Sequence, residues 1–126
     1  MSTLYERVGE HAGILRLLHY FYADVRQHAL LGPIFNARIH DWSSHLEKIT
    51  EFWALQAGGP SRYGGGFGAV HLGLGIQPGH LSQWLALWDF NCQRNLAAPE
   101  AQEMSQLAHE FGARLGRLLS LPPPVS

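Results

Sequence analysis

His71 lies in the short apolar segment Gly68-Ala69-Val70-His71-Leu72, downstream of the run Gly64-Gly65-Gly66. An imidazole carried on one turn between a glycine loop and a helix offers a nitrogen to a metal. Its other nitrogen meets a backbone carbonyl, which fixes the ring and tunes its basicity. Three more side chains put hydrogen-bonding groups on faces that are otherwise apolar: Tyr22, His45 and Trp84. Each has an ordinary alternative, as a core tyrosine, a satisfied core histidine or a hydrogen-bonded indole. Together, a phenol, an imidazole and an indole in one apolar interior cost stability unless something there takes their hydrogen bonds. Haem iron with one imidazole below, polar donors above and apolar walls around it is such a site, and it binds diatomic ligands. On this reading His71 is the iron ligand, and Tyr22, His45 and Trp84 face the ligand from the other side.

Helices must position these residues, because apolar side chains recur at helical spacing and no convincing alternating strand is present. Ile14, Leu18, Phe21, Tyr22 and Val25 form the stripe of a first long helix, roughly Gly13 to His28, which Gly32-Pro33 should stop. Asp41 is a good N-cap for a second helix carrying Trp42, His45, Leu46, Ile49, Phe52, Trp53 and Gln56 on one side, ended by Gly58-Gly59-Pro60. The glycine content from there to Gly68 predicts a mobile loop, followed by a single turn around residues 69–72 that presents His71. Pro78 suits the first turn of a third helix aligning Leu81, Trp84, Leu85, Trp88 and Cys92. Pro99 suits that of a fourth carrying Met104, Leu107, Phe111, Leu115 and Leu118. Glu47 and Glu51, four residues apart, read as a solvated charged face. The expectation is a single all-α domain over residues 1–126, with its core at about 4–119 and a proline-rich tail at 120–126.

Composition removes several function classes. Charged residues make up 15% and the net charge is -1 without a Lys/Arg cluster, so no nucleic-acid footprint is present. No apolar run approaches the roughly 20 residues of a membrane helix, and the first residues lack an export pattern, which suggests a cytoplasmic protein that does not engage membranes. The single cysteine, Cys92, excludes an internal disulfide, Cys-rich zinc sites and C-x-x-C-H haem attachment, so a haem would be held non-covalently. No phosphate loop, nucleophile triad or H-E-x-x-H pattern is found.

The order of these pieces resembles the truncated haemoglobins, specifically their group III. The resemblance covers about Leu4 to Leu119. It is carried by Phe21-Tyr22-Ala23-Asp24-Val25-Arg26, Leu31-Gly32-Pro33-Ile34-Phe35-Asn36, Asp41-Trp42-Ser43-Ser44-His45-Leu46, Phe52-Trp53, Arg62-Tyr63, His71-Leu72 and Trp84-Leu85-Ala86-Leu87-Trp88. It implies a shortened globin fold, a two-on-two helical sandwich around haem b (iron protoporphyrin IX). Matched position by position, it makes His71 the proximal ligand, Tyr22 the distal tyrosine, His45 the distal gate and Trp84 the distal tryptophan. Phe35 then stacks on the haem face, and Phe21, Ile49, Phe52 and Trp53 fall on the pocket wall. Arg62 and Tyr63 are the expected propionate neighbours. Two positions depart from the family's pattern: prolines four residues before and after the proximal histidine are Phe67 and Gly75 here.

The expected function is reversible binding of dioxygen and other diatomic ligands by a monomer or weak dimer. Three distal donors favour slow oxygen release, or chemistry on oxygen such as nitric oxide dioxygenation or peroxide reduction, which needs an electron-donating reductase partner. The competing classes are a passive oxygen store or sensor without turnover, and a haem-less helical interaction protein.

Overall fold

The computed structural model describes residues 2–65 and 75–119. His71, Phe67, the turn at 69–72 and the proline-rich tail lie outside the described residues. Within them the chain is helical: α1 (Leu4–Arg7), α2 (Glu10–Gln27), α3 (Gly32–Arg38), α4 (Trp42–Gln56), α5 (Pro78–Asn95) and α6 (Ala98–Leu118). The four long helices pair as two layers, α2 on α4 and α5 on α6, with α2 also packed on α5. None of the described helices is long and apolar enough to cross a membrane.

The caps follow local chemistry. The Asp41 side chain accepts the Ser44 N–H at 3.1 Å and starts α4, while Pro78 and Pro99 occupy the first turns of α5 and α6, where a missing N–H costs nothing. One expectation fails. Gly32-Pro33 does not stop the first long helix; α2 ends at Gln27 and the Gly-Pro pair opens α3. His28 makes the break by turning its ring back, so that Nδ1 accepts the backbone N–H groups of Leu30 and Leu31 at 3.1 and 3.2 Å. Gly32 then lets the chain pass the end of α2, since a Cβ there would sit 2.7 Å from the Arg26 carbonyl oxygen. The proline acts as a helix starter because the turn before it is already closed. The short α1 also escapes the periodicity argument, being a single turn held by a capping box between Thr3 and Glu6.

The core lies where the layers meet. Ile14, Leu18, Phe21 and Val25 are fully buried along α2, and Trp53, Trp88, Cys92 and Met104 close the centre. Burying one such side chain contributes about 1.5–3 kcal/mol, so this stripe, not helix propensity, decides the fold. Three indoles stack through it: Trp84 on Trp88 with centroids 5.7 Å apart and planes at 6°, and Trp88 on Trp53 at 4.4 Å and 18°. The buried Trp88 N–H donates to the Met104 carbonyl at 3.1 Å. Cys92 is buried as expected, and burial pushes its thiol up to about 12. Leu118, placed on the α6 stripe by its spacing, is instead half exposed in the last turn of that helix.

Candidate functional site

A cavity of about 470 Å³ opens between α2, α3, α4, α5 and α6. Helical spacing builds its walls. His45, Ile49, Phe52 and Trp53 recur at one-turn intervals on α4, Leu81 and Trp84 sit one turn apart on α5, and Phe111 and Leu115 do the same on α6. The lining is largely apolar, and among the described residues no Asp or Glu reaches it. Arg38, Lys48 and His80 bring the positive or ionisable nitrogens.

The polar groups expected from the sequence meet inside this cavity. Tyr22 is buried with its ring edge-on to His45, centroids 5.5 Å apart at 83°, and Phe35 lies 5.8 Å away. The Trp84 side chain faces the Tyr22 hydroxyl as a hydrogen-bonding neighbour and partly offsets the effect of burial on it. An indole only donates, so the Tyr22 oxygen accepts and its own proton stays free to point elsewhere. Burial raises the Tyr22 pKa far above the ordinary range, which keeps the group a neutral donor. His45 Nε2 is buried and has no hydrogen-bond partner. Desolvation, and then the charge of Lys48, hold the His45 pKa below its usual value, so the ring is neutral at neutral pH.

Phe35, Ile49, Phe52, Trp53 and Tyr63 all line the cavity, as their positions suggested. Tyr63 packs edge-on against Phe52, centroids 5.2 Å apart, and its buried hydroxyl is also without a partner. Arg62 does not line the cavity; its side chain is exposed, and its backbone N–H donates to Glu51 Oε1 at 2.7 Å. Phe21 stands behind the wall rather than on it, edge-on to Trp84 and Trp88.

Several residues escaped the sequence reading. Lys48 is one turn after His45 and was legible as its neighbour. Phe111 and Leu115 were read as core and turn out to be wall. His80 caps α5, its Nδ1 accepting the Gln77 N–H at 2.8 Å, and no local pattern marks it for the cavity. Glu51 is half-buried and not the surface charge it resembled. It binds His11, Ser61 and the Arg62 N–H at once, clamping the 61–63 segment to α4. On the outer side of α5 and α6 a second cleft of about 590 Å³ holds Asp89, whose carboxylate bridges Ser105 and His109.

A family model described as bacterial-like globin matches residues 3–111. The group 3 truncated hemoglobin ctb of Campylobacter jejuni is 37% identical over 81 residues, a match covering 60% of this chain and 64% of that protein. The match thus spans less than two thirds of that relative. The crystal structure of group III truncated hemoglobin from Campylobacter jejuni superposes with a TM-score of 0.83 at 28% identity, covering 87% of this chain and 91% of that one. A 2/2 hemoglobin from Synechococcus, solved in the cyanomet state with covalently attached heme, gives a TM-score of 0.82 at 18% identity over 94% of this chain and 99% of that one. That second likeness is one of fold. With these matches beside the two-layered helices and the Tyr22–His45–Trp84 cavity, the chain belongs to the bacterial-like globin family, as a truncated haemoglobin of the group III type.

Proposed function

We propose that the central cavity holds haem b non-covalently and that the protein binds dioxygen and other diatomic ligands there. The observation that carries this reading is the convergence of Tyr22, Trp84 and the unpartnered His45 Nε2 in one apolar cavity of about 470 Å³. That volume falls within the roughly 300–1,000 Å³ of small-molecule and cofactor pockets. The residues fit the group. Phe35, Ile49, Phe52 and Trp53 supply flat and branched apolar surface, and Arg38, Lys48 and the free Tyr63 hydroxyl suit the carboxylates of the cofactor. His71, outside the described residues, is the proposed iron ligand. Iron in the bound cofactor supplies the coordination site and the electron exchange that the side chains lack.

The side chains do the rest. Trp84 fixes the Tyr22 hydroxyl by donating to it, so the Tyr22 proton is presented to the ligand at no further ordering cost. His45, neutral and half-buried on the pocket wall, adds a donor or acceptor when it points in and opens a passage when it swings out. Three such groups favour slow release of dioxygen over rapid delivery. They also suit detoxification of nitric oxide or peroxide, for which an electron-donating reductase is the required partner. Replacing His71 with alanine tests the assignment. Haem uptake followed by absorption should fail in His71→Ala and persist in His11→Ala, His19→Ala, His28→Ala and His109→Ala. A normal haem spectrum in His71→Ala would contradict it.

A further inference from the structure

Behind the cavity wall lies a titratable chain that the proposed function does not use. The Tyr5 hydroxyl is 2.6 Å from His11 Nδ1, and His11 Nε2 is 2.8 Å from Glu51 Oε2. The protons follow from the acceptors. A carboxylate only accepts, so Nε2 carries hydrogen; Nδ1 of the neutral ring is then an acceptor, and the phenol donates to it. The ring of Tyr5 is buried against Gly59, where any Cβ would collide with it. The other three tyrosines differ. Tyr20 is half exposed, the Tyr22 hydroxyl faces the indole of Trp84, and the Tyr63 hydroxyl has no partner. Among the described residues Tyr5 is the tyrosine with a base on its hydroxyl.

This chain is joined to the cavity. Trp84 and Trp53 both line it and both stack on Trp88. The Trp53 carbonyl accepts the Ala57 N–H at 2.9 Å, and the Ala57 carbonyl accepts the Tyr5 N–H at 3.0 Å. Stacked indoles, then two backbone hydrogen bonds, therefore connect the cavity to Tyr5.

We propose that Tyr5 is a redox-active residue that returns an electron to the cavity when a hydroperoxide is reduced there, a role that rests on the haem reading above. Reducing the hydroperoxide would break its O–O bond and consume two electrons, which bound haem would pass on, and two protons from solvent, leaving the alcohol and one water, or two waters from hydrogen peroxide. Tyr5 refills one of those electrons through Trp53. Its O–H bond breaks as the electron departs, and the proton moves to His11 Nδ1. The imidazolium so formed is held by the Glu51 carboxylate, and the unpaired electron stays on Tyr5. A small one-electron reductant supplies the second electron and later restores the phenol. The relay draws the oxidising equivalent away from Tyr22 and Trp84, the groups that serve the ligand.

The test is freeze-quench electron paramagnetic resonance on haem-loaded protein mixed with one equivalent of hydrogen peroxide. Samples are matched by Soret absorbance, so a folding or loading defect is seen before peroxide is added. A tyrosyl signal is expected in the wild type and in Tyr20→Phe. It should be lost in Tyr5→Phe, and lost or delayed in His11→Gln, whose amide is no base. A full tyrosyl signal in Tyr5→Phe overturns the proposal, as does a wild type that shows only tryptophan-centred or cofactor-centred signals. Failure of the haem reading is distinguishable, because no Soret band would form at all. In that case azide radicals from pulse radiolysis replace peroxide, on a Tyr20→Phe background. Equal tyrosyl yields with and without Tyr5 would then overturn the assignment of Tyr5.

Discussion

The polar groups on the cavity wall and those just behind it have opposite fates. Behind the wall the polar side chains pair with one another or with backbone: Trp88 with the Met104 carbonyl, the buried Thr50 with the Leu46 carbonyl at 2.7 Å, the buried Asn91 with Asp24 at 3.0 Å, and Tyr5 and Glu51 each with His11. On the wall, His45 Nε2 and the Tyr63 hydroxyl are buried with no partner, and Tyr22 retains a proton with no acceptor assigned. The remaining unpaired buried atom among the described residues, Glu100 Oε2, lies 3.9 Å from Arg7 and so has an opposite charge nearby. A buried polar atom left without a partner costs about 1–3 kcal/mol. The frame avoids that cost and the wall accepts it. On the proposed function, the cofactor and its ligand take those hydrogen bonds.

The largest effect should come from breaking the frame. Trp88→Ala empties the centre of the indole stack and should lower stability by about 3–5 kcal/mol, read as a lower urea midpoint. Tyr22→Phe and Trp84→Phe act on the wall. In haem-loaded protein each should speed dioxygen dissociation roughly five-fold if about 1 kcal/mol is lost. The double variant should fall short of the product, since the two groups form one hydrogen-bonded unit. Unchanged off-rates in both single variants would remove them from the ligand's surroundings.

Tyr63→Phe sharpens the contrast by changing sign. Without haem the variant sheds an unpaired hydroxyl and should gain about 1 kcal/mol of stability. With haem it should lose the cofactor faster than wild type, measured by transfer to an excess of an apo-globin acceptor. A loss of stability in the haem-free protein would show that the hydroxyl already has a partner.

The smallest expected effect is the pH response of His45. Its folded pKa lies below the ordinary 6.5 because of desolvation first and Lys48 second. Below about 6.5 the unfolded chain therefore binds more protons, and stability falls as pH drops through that value until the folded ring is protonated too. Protonation also favours the outward ring, so carbon monoxide association should quicken on the acid side of 6.5, not around neutrality. His45→Ala should be fast at every pH. A variant that kept the wild-type step would place the titrating group elsewhere.

Much of this arrangement was legible in the sequence, for a definite reason. Tyr22, His45 and Trp84 stand on strongly periodic helices, and a 3.6-residue repeat fixes the face on which a side chain emerges. The same repeat placed Ile49, Phe52 and Trp53 on the wall. What it could not show depends on contacts far apart along the chain. Glu51 looks solvated on its own helix and is engaged because α2 brings His11 to it and the 61–63 segment folds back onto α4. Phe111 and Leu115 were read as core, since periodicity cannot tell a packed face from one lining a cavity. Gly32-Pro33 was misread because proline both follows helix ends and opens helices, and the His28 ring that decides between them acts through a side chain.

The central claim is that the wall's unpaired groups await haem, and one titration tests it most directly. Haemin is added stepwise to the haem-free chain while the Soret band and the unfolding temperature are followed together. The account predicts a Soret band that saturates at equimolar haemin, with an unfolding temperature that rises in step, because an occupant that binds only the folded state stabilises it. A featureless spectrum, or a band that grows without saturating while the unfolding temperature stays put, would contradict it.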